Sequence, residues 1–80
     1  MIVVKPEQLE TLVSHRIREL RIFRGLTQSE LAEKIGSKKP HISDLELGKT
    51  SPGLGVIAKL AQALGVEPEE ILSENLELVS

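Results

Sequence analysis

Apolar residues in this chain recur at three- and four-residue spacing through most of its length, and that period predicts helices. Over residues 7–24 the series Leu9, Leu12, Val13, Ile17, Leu20 and Phe23 marks one face of a first helix, with Arg16, Arg18, Arg21 and Arg24 set between. Pro6 suits a first helical turn, and Gly25 supplies a left-handed cap at the end. A second helix is predicted over 28–35, and its start is the clearest in the chain. Thr27 is placed to cap the backbone N–H of Glu30 while the Glu30 side chain reaches back, and Leu26 and Leu31 stand where a hydrophobic staple would close. Gly36 follows as a turn. A third helix, over 39–47, starts at Ser37 or Lys38, carries Pro40 in its first turn, directs Ile42 and Leu45 inward and stops at Gly48. Residues 49–53 form a loop. A fourth helix over 53–64 carries Leu54, Ile57, Ala58, Leu60, Ala61 and Leu64; Gly53 and Gly55 weaken its first turn, and Gly65 ends it. Pro68 opens a fifth helix over 68–73, with Ile71 and Leu72 inward and Glu69 and Glu70 in the first turn, where the helix dipole favours acid. Parts of MIVVK and NLELVS alternate apolar and polar and read as short strands or arms.

Eighty residues make one domain with a modest core, burying a little over ~60% of the unfolded chain's surface. The one aromatic residue, Phe23, leaves no stacking platform for single-stranded nucleic acid. The absence of cysteine excludes disulfides and thiolate metal sites. His15 and His41 lie far apart in sequence with no third partner, so neither a metal nor a cofactor is expected. No nucleophile elbow, phosphate-cradling glycine loop or zinc spacing occurs, so the chain is not expected to be an enzyme. MIVVK is too short for a signal peptide, and no apolar run reaches membrane-spanning length; a cytoplasmic location is expected.

Net charge is −2, but its distribution says more than the sum. Residues 14–50 hold Arg16, Arg18, Arg21, Arg24, Lys34, Lys38, Lys39 and Lys49 against Glu19, Glu30, Glu33, Asp44 and Glu46, a local excess of three positive charges. Residues 51–80 hold Lys59 against Glu67, Glu69, Glu70, Glu74 and Glu77. A locally basic segment can meet phosphates even in an acidic chain, because short-range charge governs that contact. Lys38 and Lys39 sit at a helix N-terminus, where the dipole disfavours cations; that local cost argues for a functional reason.

Residues 26–52 have the form of a helix-turn-helix. Such a unit needs a small residue where its helices cross, a residue tolerant of positive φ in the turn, and a branched residue on the second helix packing back on the first. Ala32, Gly36 and Ile42, the last supported by Leu45, stand at those positions. Residues 16–72 resemble the Cro and phage-repressor family of helix-turn-helix domains, often called the XRE family, through IRELRIFRGLTQSELAEKIG, ISDLELGKTSP and IAKLAQALGVEPEEIL. The resemblance implies an all-α, compact five-helix lambda-repressor-like domain, with the helix-turn-helix in helices 2 and 3 and terminal arms at 1–6 and 74–80. It implies sequence-specific binding of double-stranded DNA in a transcriptional role, as a dimer on a near-palindromic operator, with the recognition helix over 39–47 in the major groove.

By the same resemblance, Lys38, Lys39, Pro40, Ser43 and Asp44 are the base-facing candidates. Gln28, Lys49 and Thr50 are candidates for phosphate, and Arg21 and Glu46 for a structural ion pair; the residues themselves add Arg16 and Arg24, from the basic series on helix 1 read as a phosphate track, and His41 as a phosphate-side group. A lysine can donate to guanine and an aspartate can accept from cytosine, whereas Pro40 offers only an apolar contact. Dimerisation is expected through helix 5, with the apolar arms, where Ile2, Val3, Val4, Leu76, Leu78 and Val79 stand, as a further candidate surface. The alternative class is a protein-interaction module, the antitoxin of a toxin–antitoxin pair, whose acidic C-terminal third meets a basic protein.

Overall fold

The computed structural model describes residues 6–72, with side-chain surroundings from Leu12 onward. These residues form five helices: α1 (Pro6–Phe23), α2 (Gln28–Lys34), α3 (Lys39–Glu46), α4 (Leu54–Leu64) and α5 (Pro68–Leu72). No strand occurs among the described residues. The terminal arms expected at 1–6 and 74–80 lie, apart from Pro6, outside the described residues, as does Ser73 at the expected end of helix 5.

The core is aliphatic. Ile17 on α1, Leu31 and Ala32 on α2, Ile42 and Leu45 on α3, Leu60 and Leu64 on α4 and Ile71 on α5 are all buried in one cluster. Five short helices cannot hold themselves together by backbone hydrogen bonds in water; burial of these stripes against one another does. α2 packs chiefly on α3, and α1 touches α3, α4 and α5, so α1 is the strut that supports the other elements.

The helix boundaries follow from local chemistry. The capping box at α2 is complete: Glu30 N donates to Thr27 Oγ1 at 3.0 Å and Thr27 N to Glu30 Oε1 at 2.8 Å. At its other end Gly36 adopts φ +71°, which lets Gly36 N reach Glu33 O at 3.1 Å and Ser37 N reach Ala32 O at 2.8 Å. This paired closure satisfies carbonyls that the helix leaves open and turns the chain into α3. The same closure recurs after α1, α3 and α4.

Several residues expected inward are not. Phe23 is 80% exposed and Leu54 79% exposed; Ala58 is exposed, and Leu12 and Leu72 are largely open. Each follows from geometry. At ~100° per residue Phe23 points about 120° away from Ile17, off the buried face. Leu54 opens its helix beyond the reach of the core, and α5 is so short that one inward residue, Ile71, exhausts its contact. Leu47, expected as the last residue of helix 3, is instead its C-cap and 65% exposed.

Candidate nucleic-acid interface

α3 turns Ile42 and Leu45 into the core and therefore presents its other side to solvent. Pro40, Ser43, Asp44 and Leu47 follow at spacings of three, four and seven residues, and line that outer face. Lys38, Lys39 and Pro40 are exposed at the N-terminal end; Ser43 and Asp44 are half-buried one turn on. Lys38 is the N-cap residue, and no side chain caps this end, in contrast to the complete box on α2. No acid occupies the first turn of α3. Pro40 has no N–H and His41 N donates to Lys38 O at 3.0 Å, so it is the N–H groups of Lys38 and Lys39, beside two ammonium groups, that make this end attractive to an anion.

Behind this face lies a polar network that ties three helices together. Arg21 Nε donates to Glu46 Oε2 at 2.6 Å, and Arg21 Nη2 to Glu46 Oε1 at 3.1 Å. Arg21 Nη1 donates to Leu26 O at 2.8 Å. Gln28 Nε2 donates to Glu46 Oε1 at 3.0 Å. The Glu46 side chain is only 3% exposed and that of Arg21 12%. A bidentate guanidinium on a carboxylate is the strong form of such a contact, and here it is shielded from water. Its geometric effect is to hold the end of α3, the turn before α2 and the first residue of α2 in fixed relation.

The candidate phosphate residues divide into two groups. Gln28 stands at the start of α2 and is oriented by Glu46; His41 lies on α3, with Nδ1 2.7 Å from Ser37 Oγ; Lys49 and Thr50 are exposed in the loop after α3. Arg16 and Arg24 do not join them. Arg16 Nη1 donates to Glu70 O at 2.6 Å, and Arg24 Nη2 to Gly65 O at 3.3 Å while lying 5.6 Å from the Phe23 ring centre. Both guanidiniums tie α1 to the α4–α5 end of the molecule. The carbonyl they each meet is a helix-end acceptor, which attracts a cation for the same reason that an N-terminus attracts an anion.

Two residues of this face were not singled out from sequence. Leu47 shares the outer face of α3, a place that its seven-residue spacing from Pro40 encodes. Ser37 meets His41 at a separation of four residues, a spacing that brings side chains together on one side of a helix. No group of three or more acidic, histidine or cysteine side chains suited to a metal occurs among the described residues. No helix among them is long and apolar enough to cross a membrane.

Comparison with known proteins agrees with this geometry. A family model described as helix-turn-helix matches residues 17–71. Multiprotein-bridging factor 1 of Eremothecium gossypii is 38% identical over 65 residues, which cover 81% of this chain but only 43% of that protein. The chain thus spans less than half the length of that relative. An uncharacterised HTH-type transcriptional regulator of Archaeoglobus fulgidus is 41% identical over 56 residues, covering 70% of this chain and 80% of the relative. Among solved structures, the restriction-modification controller protein C.AhdI of Aeromonas hydrophila superposes with a TM-score of 0.77 at 35% identity, covering 81% of this chain and 94% of that one. The P22 c2 repressor, solved in complex with a synthetic operator, gives a TM-score of 0.74 at 28% identity over 80% of this chain and 97% of the repressor. The matched span holds the whole α2–turn–α3 unit together with the buried network behind it, and on these grounds the chain belongs to the helix-turn-helix family of the phage-repressor (XRE) type.

Proposed function

We propose that this chain is a transcriptional regulator that binds double-stranded DNA by laying α3 in the major groove. The observation that carries this reading is the outer face of α3: an uncapped, lysine-bearing N-terminal end followed by Ser43 and Asp44, held rigidly from behind by Arg21, Glu46 and Gln28. In this reading Lys38, Lys39, Pro40, Ser43 and Asp44 meet base edges. Gln28, His41, Lys49 and Thr50 meet phosphates, Gln28 with the amide hydrogen and oxygen that Glu46 leaves open. Arg16 and Arg24 first serve the fold, and reach phosphate only if they release their carbonyls. A second copy related by a two-fold axis through α5 would set two recognition helices one helical turn of DNA apart.

Selection of bound sites from random duplex DNA, followed by titration of the selected duplex, tests the reading. Lys39→Ala should weaken the selected site by ~1–3 kcal/mol and relax preference at one base pair. Affinity should fall with salt by about one logarithmic unit per unit of log salt for each phosphate neutralised. Failure of the wild-type chain to enrich any sequence would reject it.

A second reading rests on the exposed Glu67 and Glu69 at the start of α5, an acidic surface remote in sequence from the recognition helix. A basic protein partner, such as a toxin, fits it by charge. A stoichiometric complex with a co-expressed basic protein, lost in Glu67→Lys/Glu69→Lys, would support that partner; an unchanged complex would reject this surface.

A further inference from the structure

We propose that Ser37 is a positioning residue for DNA binding: its hydroxyl, 2.7 Å from Nδ1 of His41, holds the imidazole so that Nε2 is offered to a backbone phosphate as a hydrogen-bond donor. The inference rests on the DNA-binding reading above. It adds a residue outside the expected contact set and gives His41 a defined chemical form.

Ser37 is where a helix-capping side chain is expected, since serine is among the preferred N-cap residues. It does not cap. The N-cap of α3 is Lys38, and the Ser37 hydroxyl turns to His41 instead. The backbone of Ser37 is itself anchored, because its N–H donates to Ala32 O at 2.8 Å in the turn closed by Gly36. The hydroxyl is therefore carried on a hydrogen-bonded turn. Both residues are half-buried, so the bond is partly sheltered from water.

In the proposed form the serine hydroxyl donates to Nδ1; an Nδ1–H ring donating to the hydroxyl would meet the same 2.7 Å contact, and the tautomer measurement below separates the two. A neutral imidazole carries one hydrogen, and the tautomer is set by what the other nitrogen accepts. A serine hydroxyl donating to Nδ1 places that hydrogen on Nε2. If the ring is cationic, Nδ1–H donates to the hydroxyl and Nε2 again carries a hydrogen. In this tautomer and in the cation Nε2 is a donor. Among the described residues no side chain or carbonyl takes it up, and no carboxylate forms an ion pair with the ring. A donor-only edge on the first turn of α3, beside Lys38 and Lys39 and an uncapped helix end, suits an anionic oxygen. Phosphate is the acceptor common to every DNA sequence, so the contact serves anchoring and not base choice.

The test uses the full chain, a duplex recovered by selection and a random duplex of equal length. His41→Ala and Ser37→Ala should each weaken both duplexes by the same factor, about three- to tenfold, the worth of one net hydrogen bond. Ser37→Ala in the His41→Ala background should add nothing, since the hydroxyl acts only through the ring. Ser37→Thr keeps the hydroxyl and should restore binding to within about twofold. In the free protein, nitrogen-15 shifts should show His41 as the Nε2–H tautomer when neutral, and as a mixture in Ser37→Ala. Thermal unfolding of each variant separates loss of fold from loss of contact. Equal losses from Ser37→Ala with and without His41, or an unchanged tautomer, would overturn the proposal while leaving DNA binding intact. A loss confined to the selected duplex would mean a base contact and would also overturn it. A wild-type chain that binds neither duplex would end both readings.

Discussion

Replacing Arg21 by Met exposes how the interface is held. In the native fold the Glu46 carboxylate accepts from Arg21 at 2.6 and 3.1 Å and from Gln28 at 3.0 Å, with its side chain 3% exposed. Without the guanidinium it keeps only the Gln28 amide in a site that water barely enters. Removing one partner of such a pair costs ~3–5 kcal/mol, most of it the penalty of a buried charge left uncompensated. An 80-residue domain has a total stability of about 4–12 kcal/mol, so the single substitution removes a large share of it. A loss of that size lowers the melting temperature by roughly 4–8 °C per kcal/mol for a domain of this length. Glu46→Leu should cost less than Arg21→Met, because Arg21 keeps its bond to Leu26 O at 2.8 Å and is the more exposed partner, at 12% against 3%. The double variant Arg21→Met/Glu46→Leu carries no orphaned charge and should be more stable than Arg21→Met alone. Urea unfolding of all four proteins, with midpoint and slope fitted separately, measures the coupling. Simple additivity of the two losses, or single losses below ~1 kcal/mol as for a solvated surface pair, would refute the account.

Further predictions concern the turn, the cap and the face. Gly36→Ala should cost ~1–2 kcal/mol, all of it backbone strain at φ +71°, because an added Cβ there meets nothing within 4 Å; Gly36→Asn should cost less. Thr27→Ala should lose about 1 kcal/mol by opening the capping box, a change that calorimetry resolves. Ile42→Ala, at a fully buried position, should lose ~2–5 kcal/mol, whereas Pro40→Ala, about half a turn away on the exposed side, should change stability by less than about 0.5 kcal/mol while altering DNA preference in a site-selection assay.

Much of the framework of the candidate interface was legible along the chain, and the reason is that it is local. The capping box joins residues three apart, and the α2–α3 turn needs only a glycine at the right place. Ile42 and Leu45 announce the buried side of α3 and so, by exclusion, the exposed one. The Arg21–Glu46 pair joins residues 25 apart, and no spacing rule reaches that far; only resemblance to a family pointed to it. The surroundings of Arg16 and Arg24 were invisible for the same reason. From their place on α1 they read as members of a basic track, but their partners lie 54 and 41 residues away, on the ends of α5 and α4.

By itself the sequence determined, to within a residue, where the helices start and stop among the described residues, because caps, glycines and the apolar period act over a turn or two. It also determined the outer face of α3, since a helix that buries two residues three apart has only one opposite side. Tertiary structure decided which charges are free to meet a partner. A guanidinium has the same charge wherever it stands, but packing brings carbonyls and carboxylates to some and leaves others in water. Packing thus drew Arg21 into the fold, gave Arg16 and Arg24 carbonyl partners at the surface, and left Lys38, Lys39 and Lys49 exposed. It decided likewise which apolar positions on the helical period reach the core, and left Leu54 and Leu72 open because a core this small ends before the helices do.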